Sequence, residues 1–410
     1  MPGSLGFNAD DRYRTVPEIQ ILEIVTLCGW AYESASNVAI EASRQALQSW
    51  TELGLKFRTG PNGGRFFDPV EVNNFMKRAG LDGRDDFWVD RYVHTGRRLV
   101  SDLAEIAPGP LVFSLEFTRV FNLRSVPQGR RLRLRLPLPL NGDFIQNLEI
   151  TPCCETHPLA QLHRSPGRLE IQLTTAGEPE VKLAAGLTFT AHPQIPRPGA
   201  PLAEAERALY LHPREGLIVV SERICTLAHS LAAPSMPPLD ALRAFWEYIS
   251  RELVCGALHY DQIDSISPCD WILDSGWYDC QLGASLLVAL CRARGIPARV
   301  LGGYVLYRLA PSMHYWAEVW IEDQGWTPFD FLSWDLAVGG RDPLWRDHFF
   351  GRLDARMPTQ CLPRCFTGAL GVPIPQSWHL LQVATPGGLK ATLMDLEGTP
   401  LYSDTFRWTT

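Results

Sequence analysis

Between Leu111 and Ala191 the apolar residues fall on every second position, and on both sides of that stretch they return to three- and four-residue spacing. Leu111-Val-Phe-Ser-Leu-Glu-Phe-Thr-Arg-Val-Phe, Arg131-Leu-Arg-Leu-Arg-Leu-Pro, Leu148-Glu-Ile, Leu169-Glu-Ile-Gln-Leu and Leu187-Thr-Phe-Thr-Ala are separated by Gly, Pro and Asn clusters. Period two sends alternate side chains to opposite faces of a strand, so these segments predict a β-sandwich. Pro17-Glu-Ile-Gln-Ile-Leu-Glu-Ile-Val-Thr-Leu and Ala39 to Leu53 read as helices, as does the segment in which Leu239, Leu242, Phe245, Trp246 and Ile249 line one side. A chain that changes period in this way is expected to fold as α+β.

The 410 residues admit two or three domains at roughly 150 residues each. Breaks fall at Pro108-Gly109-Pro110 and at Pro193-Gln-Ile-Pro-Arg-Pro-Gly-Ala-Pro. The expected division is a mainly helical accessory region over 1–105, a β-sandwich over 106–195, a further domain over 205–380 and C-terminal strands over 381–410. Within the first region, Leu55-Lys-Phe-Arg-Thr-Gly-Pro-Asn-Gly-Gly-Arg-Phe-Phe reads as a hairpin turning at Asn62-Gly63.

Lys plus Arg number 38 against 45 Asp plus Glu, a net charge of -7, so no global positive field would hold the chain on nucleic acid or an anionic membrane. Arg131, Arg133 and Arg135 alternate along one strand and read as a solvated face. The start lacks a basic segment followed by an apolar one, and no run reaches the ~18 apolar residues of a membrane span, so the expected location is cytoplasmic. In that reducing setting the ten cysteines are expected to be mostly buried small hydrophobes. Cys361-Leu-Pro-Arg-Cys365 has no second pair at zinc spacing, and Cys153-Cys154 near His157 and His163 is assigned no metal. No phosphate loop, dinucleotide fingerprint or calcium loop is present, so no cofactor is expected.

The segment Gly276-Trp-Tyr-Asp-Cys280-Gln-Leu-Gly-Ala-Ser-Leu-Leu-Val-Ala-Leu-Cys-Arg-Ala-Arg-Gly295-Ile-Pro297 predicts an apolar helix capped by Asp279 or Cys280 and stopped by Gly295 and Pro297. A cysteine at such a start lies near unpaired N–H groups, which lower a thiol pKa and can receive an oxyanion. Downstream, Met313-His314-Tyr-Trp-Ala-Glu-Val-Trp-Ile and Gly325-Trp-Thr-Pro-Phe-Asp330-Phe predict two strands of a hairpin through Glu322-Asp323-Gln324-Gly325. His314 and Asp330 are sixteen positions apart, so they share a face only if the turn is odd in length or carries a bulge. Asp330 could then fix the imidazole tautomer while the other ring nitrogen takes the Cys280 proton. Trp277, Gln281, Tyr260, Trp316 and Trp326 are candidate lining residues of a substrate cleft.

These motifs resemble the transglutaminase-like superfamily of papain-like thiol enzymes, over residues 205–380. The likeness lies in the cysteine helix followed by Gly-Ile-Pro-Ala-Arg, the strand His314-Tyr315-Trp316 and the strand from Gly325-Trp326 to Asp330. Phe349-Phe-Gly-Arg-Leu-Asp-Ala-Arg looks like a segment found after the family's aspartate, and the upstream strands look like the amino-terminal β-domain of bacterial members. The resemblance implies a papain-like core, with the cysteine helix packed on an antiparallel sheet. It also implies Cys280 as nucleophile, His314 as general base and acid, and Asp330 as its orienter.

The spacing Gly276-Trp-Tyr-Asp-Cys280 is longer than the family's usual Gly-x-Cys. The expected reaction is acyl transfer through an acyl-thioester, from an amide, ester or carrier-bound thioester to an amine, another nucleophile or water. An amide-forming or cyclising step in secondary metabolism is one such role. Hydrolysis by a peptidase or amidase is the alternative within this chemistry, and a non-catalytic binding or assembly protein on the same fold is the alternative outside it.

Overall fold

The computed structural model describes residues 15–22, 37–81, 109–124, 126–142, 144–153, 162–192, 201–256, 258, 263–264, 266–308, 311–337, 342–362 and 402–409. Tyr260, Cys154, His157 and Cys365 lie outside them. The fold is α+β.

The first elements are β1 (Val16–Pro17), α1 (Asn37–Glu52), β2 (Phe57–Thr59), β3 (Arg65–Phe67) and α2 (Pro69–Leu81). The hairpin β2–β3 turns through Gly63, as its Asn-Gly pair predicts, and β1 adds a third strand by pairing Pro17 with Phe66. Pro17 therefore lies in a strand and not in the predicted helix. Ile21, Leu47, Trp50, Phe67, Val72 and Met76 form a small core of their own here.

The alternating segments become β4 (Leu111–Asn122), β5 (Arg131–Pro137), β6 (Ile145–Cys153), β7 (Leu162–Ser165), β8 (Arg168–Thr174) and β9 (Glu180–Ala191). They form two antiparallel sheets, β4-β9-β6 and β5-β8-β7. Leu134, Leu136, Leu169 and Ile171 from one sheet meet Phe117, Phe121, Leu187 and Phe189 from the other in one buried cluster.

Next come α3 (Glu204–Tyr210), β10 (Arg214–Glu215), β11 (Ile218–Val219), α4 (Glu222–Leu231), α5 (Pro238–Glu252), β12 (Val254–Cys255), α6 (Pro268–Ser275), β13 (Trp277–Tyr278) and α7 (Cys280–Ala293). They are followed by β14 (Ala298–Val305), β15 (Ser312–Ile321), β16 (Gly325–Phe329), α8 (Leu332–Leu336), α9 (Pro343–Arg346), β17 (Arg356–Cys361) and β18 (Tyr402–Trp408). The sheet order is β16-β15-β14-β17, antiparallel throughout. Helix α7 is buried from Gln281 to Arg292 and shares a core with Ala317 and Val319 of β15 and with Phe245 and Trp246 of α5. On α5, Leu242, Phe245, Trp246 and Ile249 are buried as predicted, whereas Leu239 in the first turn is 39% exposed.

Two features join these parts. Strand β18 closes the first sandwich sheet by pairing with β4 from Leu115 to Phe121. The sandwich cluster also continues into the second sheet through Leu301, Tyr304, Val305, Trp316 and Met357. Where β14 passes between β15 and β17, Gly303 stands opposite His314, and a Cβ at Gly303 would overlap the Met357 carbonyl. Glycine is what lets the two strands close at this point.

Candidate functional site

Asp279 caps α7: its side chain accepts from the Leu282 N–H at 2.9 Å, and Cys280 is the first helical residue. The extra residues between Gly276 and Cys280 are used for pairing. Trp277 and Tyr278 form a two-residue parallel strand with Val254 and Cys255, fastened by Val254 N to Gly276 O at 2.9 Å and Gly256 N to Tyr278 O at 2.7 Å. The departure from Gly-x-Cys thus has a structural reason: the approach to Cys280 is anchored to β12.

The hairpin carrying the other two residues meets the parity condition. Ile321 pairs with Gly325 across a three-residue turn, and Gly325 takes the left-handed conformation at φ 72° that such a turn requires. An odd turn keeps His314 and Asp330 on one face. His314 Nε2 lies 2.8 Å from Oδ1 and 2.9 Å from Oδ2 of Asp330. With Nε2 given to the carboxylate, Nδ1 is the ring nitrogen left for a thiol proton. Cys280 is partly exposed, and the Tyr315 N–H, one residue along from His314, is directed at its sulfur together with the Gln281 N–H.

Those two N–H groups favour the thiolate, but they do not prevail. Burial first, and then the Asp279 carboxylate, push the Cys280 thiol well above its ordinary value. The lowered thiol pKa expected from the helix start is therefore not met in the resting protein, because packing around the sulfur desolvates it and the cap is itself anionic.

Asp330 is fully buried. Burial would raise its pKa, but the His314 and Arg356 charges outweigh it, with help from the Leu332 N–H at 2.8 Å, and hold it at about 2. Arg356 bonds Asp330 Oδ2 through Nη2 at 2.9 Å and Nε at 3.3 Å. Its Nη1 donates to the Tyr307 hydroxyl at 2.7 Å and to Asp354. Arg356 belongs to the Phe349–Arg356 segment noted in the sequence, which carried no residue assignment. The same segment fastens Asp330 by its backbone, with Asp330 N bonded to Phe349 O at 3.2 Å.

The cleft candidates take different places. Trp316 is buried and its ring lies 6.5 Å from that of His314. Gln281 is buried beside Cys280, and its carbonyl accepts from Ser285. Trp277 packs on α2, with Phe75 at 6.0 Å and the Arg78 guanidinium at 5.1 Å from its ring. Trp326 meets Tyr210 at 4.8 Å and Arg299 at 3.9 Å, four residues along β16 from Asp330, roughly 13 Å at strand rise.

The wall formed by α2 was not legible in the sequence. Lys77 donates to the Cys255 carbonyl at 2.9 Å and pairs with Asp335 at 2.8 Å, and Arg78 reaches Gly276 O at 3.3 Å. Among the described residues, no cluster of His, Cys, Asp and Glu fits a metal ion, and no helix is long and apolar enough to cross a membrane.

Residues 226–331 match the family model described as transglutaminase-like superfamily. No curated protein matches the chain. Similar solved structures include a candidate cysteine protease from Cytophaga hutchinsonii, 16% identical over 61% of this chain and 84% of that one, with a TM-score of 0.39. The periplasmic domain of TgpA from Pseudomonas aeruginosa is 17% identical over 62% of this chain and 95% of that one, with a TM-score of 0.33. Red sea bream transglutaminase is 12% identical over 68% and 59%, with a TM-score of 0.27. The matched residues 226–331 take in the cysteine helix and the strands β14 to β16 of its antiparallel sheet, and over this span the chain is similar to the transglutaminase-like superfamily.

Proposed function

We propose that the chain is a cysteine acyltransferase in which Cys280 becomes an acyl-thioester, His314 moves the proton and Asp330 orients the imidazole. The observation that carries this reading is the buried His314–Asp330 pair, which presents Nε2 to the carboxylate. It lies beside a helix that begins with Cys280.

Because burial holds the thiol protonated at rest, the proton passes to His314 Nδ1 as sulfur attacks the acyl carbonyl. The oxyanion forms at the start of α7, where backbone N–H groups stabilise it. His314 then protonates the leaving amine, alcohol or thiol, and Cys280 keeps the acyl group. An incoming amine, other nucleophile or water gives its proton to His314 and takes the acyl group, which restores the thiol.

The donor in this proposal is a carrier-bound acyl thioester, and the role is amide formation or cyclisation in secondary metabolism. The described cysteines, Cys153, Cys225, Cys255, Cys269, Cys280, Cys291 and Cys361, are all free thiols, which supports a reducing cytoplasmic setting.

The test is to incubate the protein with acyl thioesters and amines and follow intact mass and products. The expected result is an acyl adduct on Cys280 and an amide product. Free acid as sole product would make the protein a hydrolase, and full turnover by Cys280→Ala would end the thiol mechanism.

A further inference from the structure

We infer that Arg356 is a positioning residue for the proposed acyl transfer: it fixes the Asp330 carboxylate and keeps it ionised, and it is itself held by Asp354 and Tyr307. This rests on the reading of Cys280, His314 and Asp330 as the reacting set, and adds a second tier that touches neither substrate nor thiol.

The geometry leaves Asp330 little freedom. Oδ1 accepts from His314 and from the Leu332 N–H, while Oδ2 accepts from His314 and twice from the Arg356 fork. A proton on Asp330 would have to displace one of these donors. The charges also balance in pairs. Arg356 and Asp330 have no exposed side-chain surface, and Asp354 is 10% exposed. When His314 carries the transferred proton, imidazolium faces Asp330 and guanidinium faces Asp354, so each of these two buried carboxylates has a cation of its own.

Arg356 is constrained from every side. Tyr307 Oη and Asp354 take Nη1, and the Phe349 ring lies 4.7 Å from the guanidinium carbon. Tyr307 also donates toward Asp354 at 3.2 Å. The other ionisable groups facing this cluster are His314 on β15, with Cys280 and Asp279 at the start of α7, and His348, which feels the Arg356 charge. An arginine serving only as a structural clip would need one acid. Here it bridges two, one of which is the histidine's partner.

The consequence concerns proton equilibria. Without the guanidinium, burial would act on Asp330 with only His314 and one N–H to oppose it, and the carboxyl would take up its proton at a higher pH than in the intact protein. A protonated Asp330 no longer stabilises the imidazolium, so thiolate formation at Cys280 would fail at the same pH.

The experiment is the pH profile of Cys280 alkylation by iodoacetamide, read by peptide mass spectrometry, in wild type, Arg356→Gln, Arg356→Lys and the double variant Arg356→Gln/Asp354→Asn. The double variant removes one charge of each sign and keeps the measurement available if the single variant does not fold. The expected result is an acid limb shifted upward by about one pH unit or more in both Gln variants, with Lys between them and wild type. A limb at the wild-type pH in a folded Gln variant would overturn the inference, because a merely structural arginine lowers stability without moving the profile. If wild-type alkylation is indifferent to His314→Asn, the thiol reading falls and the inference with it. If His314→Asn suppresses alkylation and the Gln limb stays in place, the inference alone fails.

Discussion

Asp279 caps the helix that begins with Cys280, and the same carboxylate raises the pKa of the thiol it introduces. One side chain thus stabilises the helix start and opposes ionisation of its first residue.

Asp279→Asn keeps a capping acceptor and removes the charge, so the Cys280 thiol should ionise at lower pH and react faster with iodoacetamide at neutral pH, with little change in stability. Asp279→Ala should speed alkylation in the same way but cost about 1 kcal/mol through loss of the cap. Alkylation rates beside chemical denaturation separate the two effects. Slower alkylation of the Asn variant would contradict the assignment.

Asp330→Asn should damage both chemistry and fold. The amide cannot anchor the imidazolium, so turnover should fall about a thousandfold. It also leaves the fully buried Arg356 with only Asp354 as counter-ion, at a cost of about 3 kcal/mol. Cys280→Ser, by comparison, should lose turnover at nearly unchanged melting temperature. Wild-type-like melting of Asp330→Asn would argue against the ion network.

Among the described residues, His348 and Asp330 both contribute to the acid side of the stability curve. Burial, followed by the Arg352 and Arg356 charges, lowers His348 to about 4 from an ordinary 6.5. Its unfolded form therefore binds a proton first, and its share of stability is complete above pH 6.5 and lost as pH falls toward 4. Asp330, held at about 2 against an ordinary 3.8, contributes stability above pH 3.8 that is lost as pH falls through 2. Urea denaturation should show the two declines in that order, and His348→Gln should flatten only the first.

Asp404 on the last strand binds the Arg119 guanidinium at 2.7 Å through both oxygens and accepts from Tyr304 at 2.5 Å. Arg119 is 3% exposed, so Asp404→Ala should destabilise the protein by about 3 kcal/mol by leaving a buried cation unpaired. Differential scanning calorimetry checks this. A loss below 1 kcal/mol, the range of a surface pair, would mean that water reaches Arg119.

The sequence displays residues whose meaning is local. The alternation from Leu111 to Ala191, the Asp279 cap and the Asn-Gly hairpin each depend on neighbours within a few positions, and each lies in the structure where its chemistry puts it. The His314–Asp330 pair was legible because one hairpin, with a turn of countable length, joins them.

Arg356 was not legible, since its partners Asp330 and Tyr307 are 26 and 49 positions away and no periodicity says which strands become neighbours. The α2 wall, with Arg78 reaching Gly276 across 198 positions, was hidden for the same reason. The raised thiol pKa was not legible either, because a helix start shows its dipole in the sequence whereas desolvation depends on everything packed around the sulfur.

The apolar cluster that runs from Phe117 and Leu136 into Tyr304, Trp316 and Met357 joins the sandwich to the sheet that carries His314 in one continuous core. Tyr304 is the next residue after Gly303, which pairs with His314. A fragment cut at the Pro-rich stretch before Pro201 would carry strands β14, β15 and β17 with one face bared to water. Strain applied to the sandwich would likewise reach the histidine's own strand through Trp316, which is buried in that shared cluster, so the sandwich is no loose appendage.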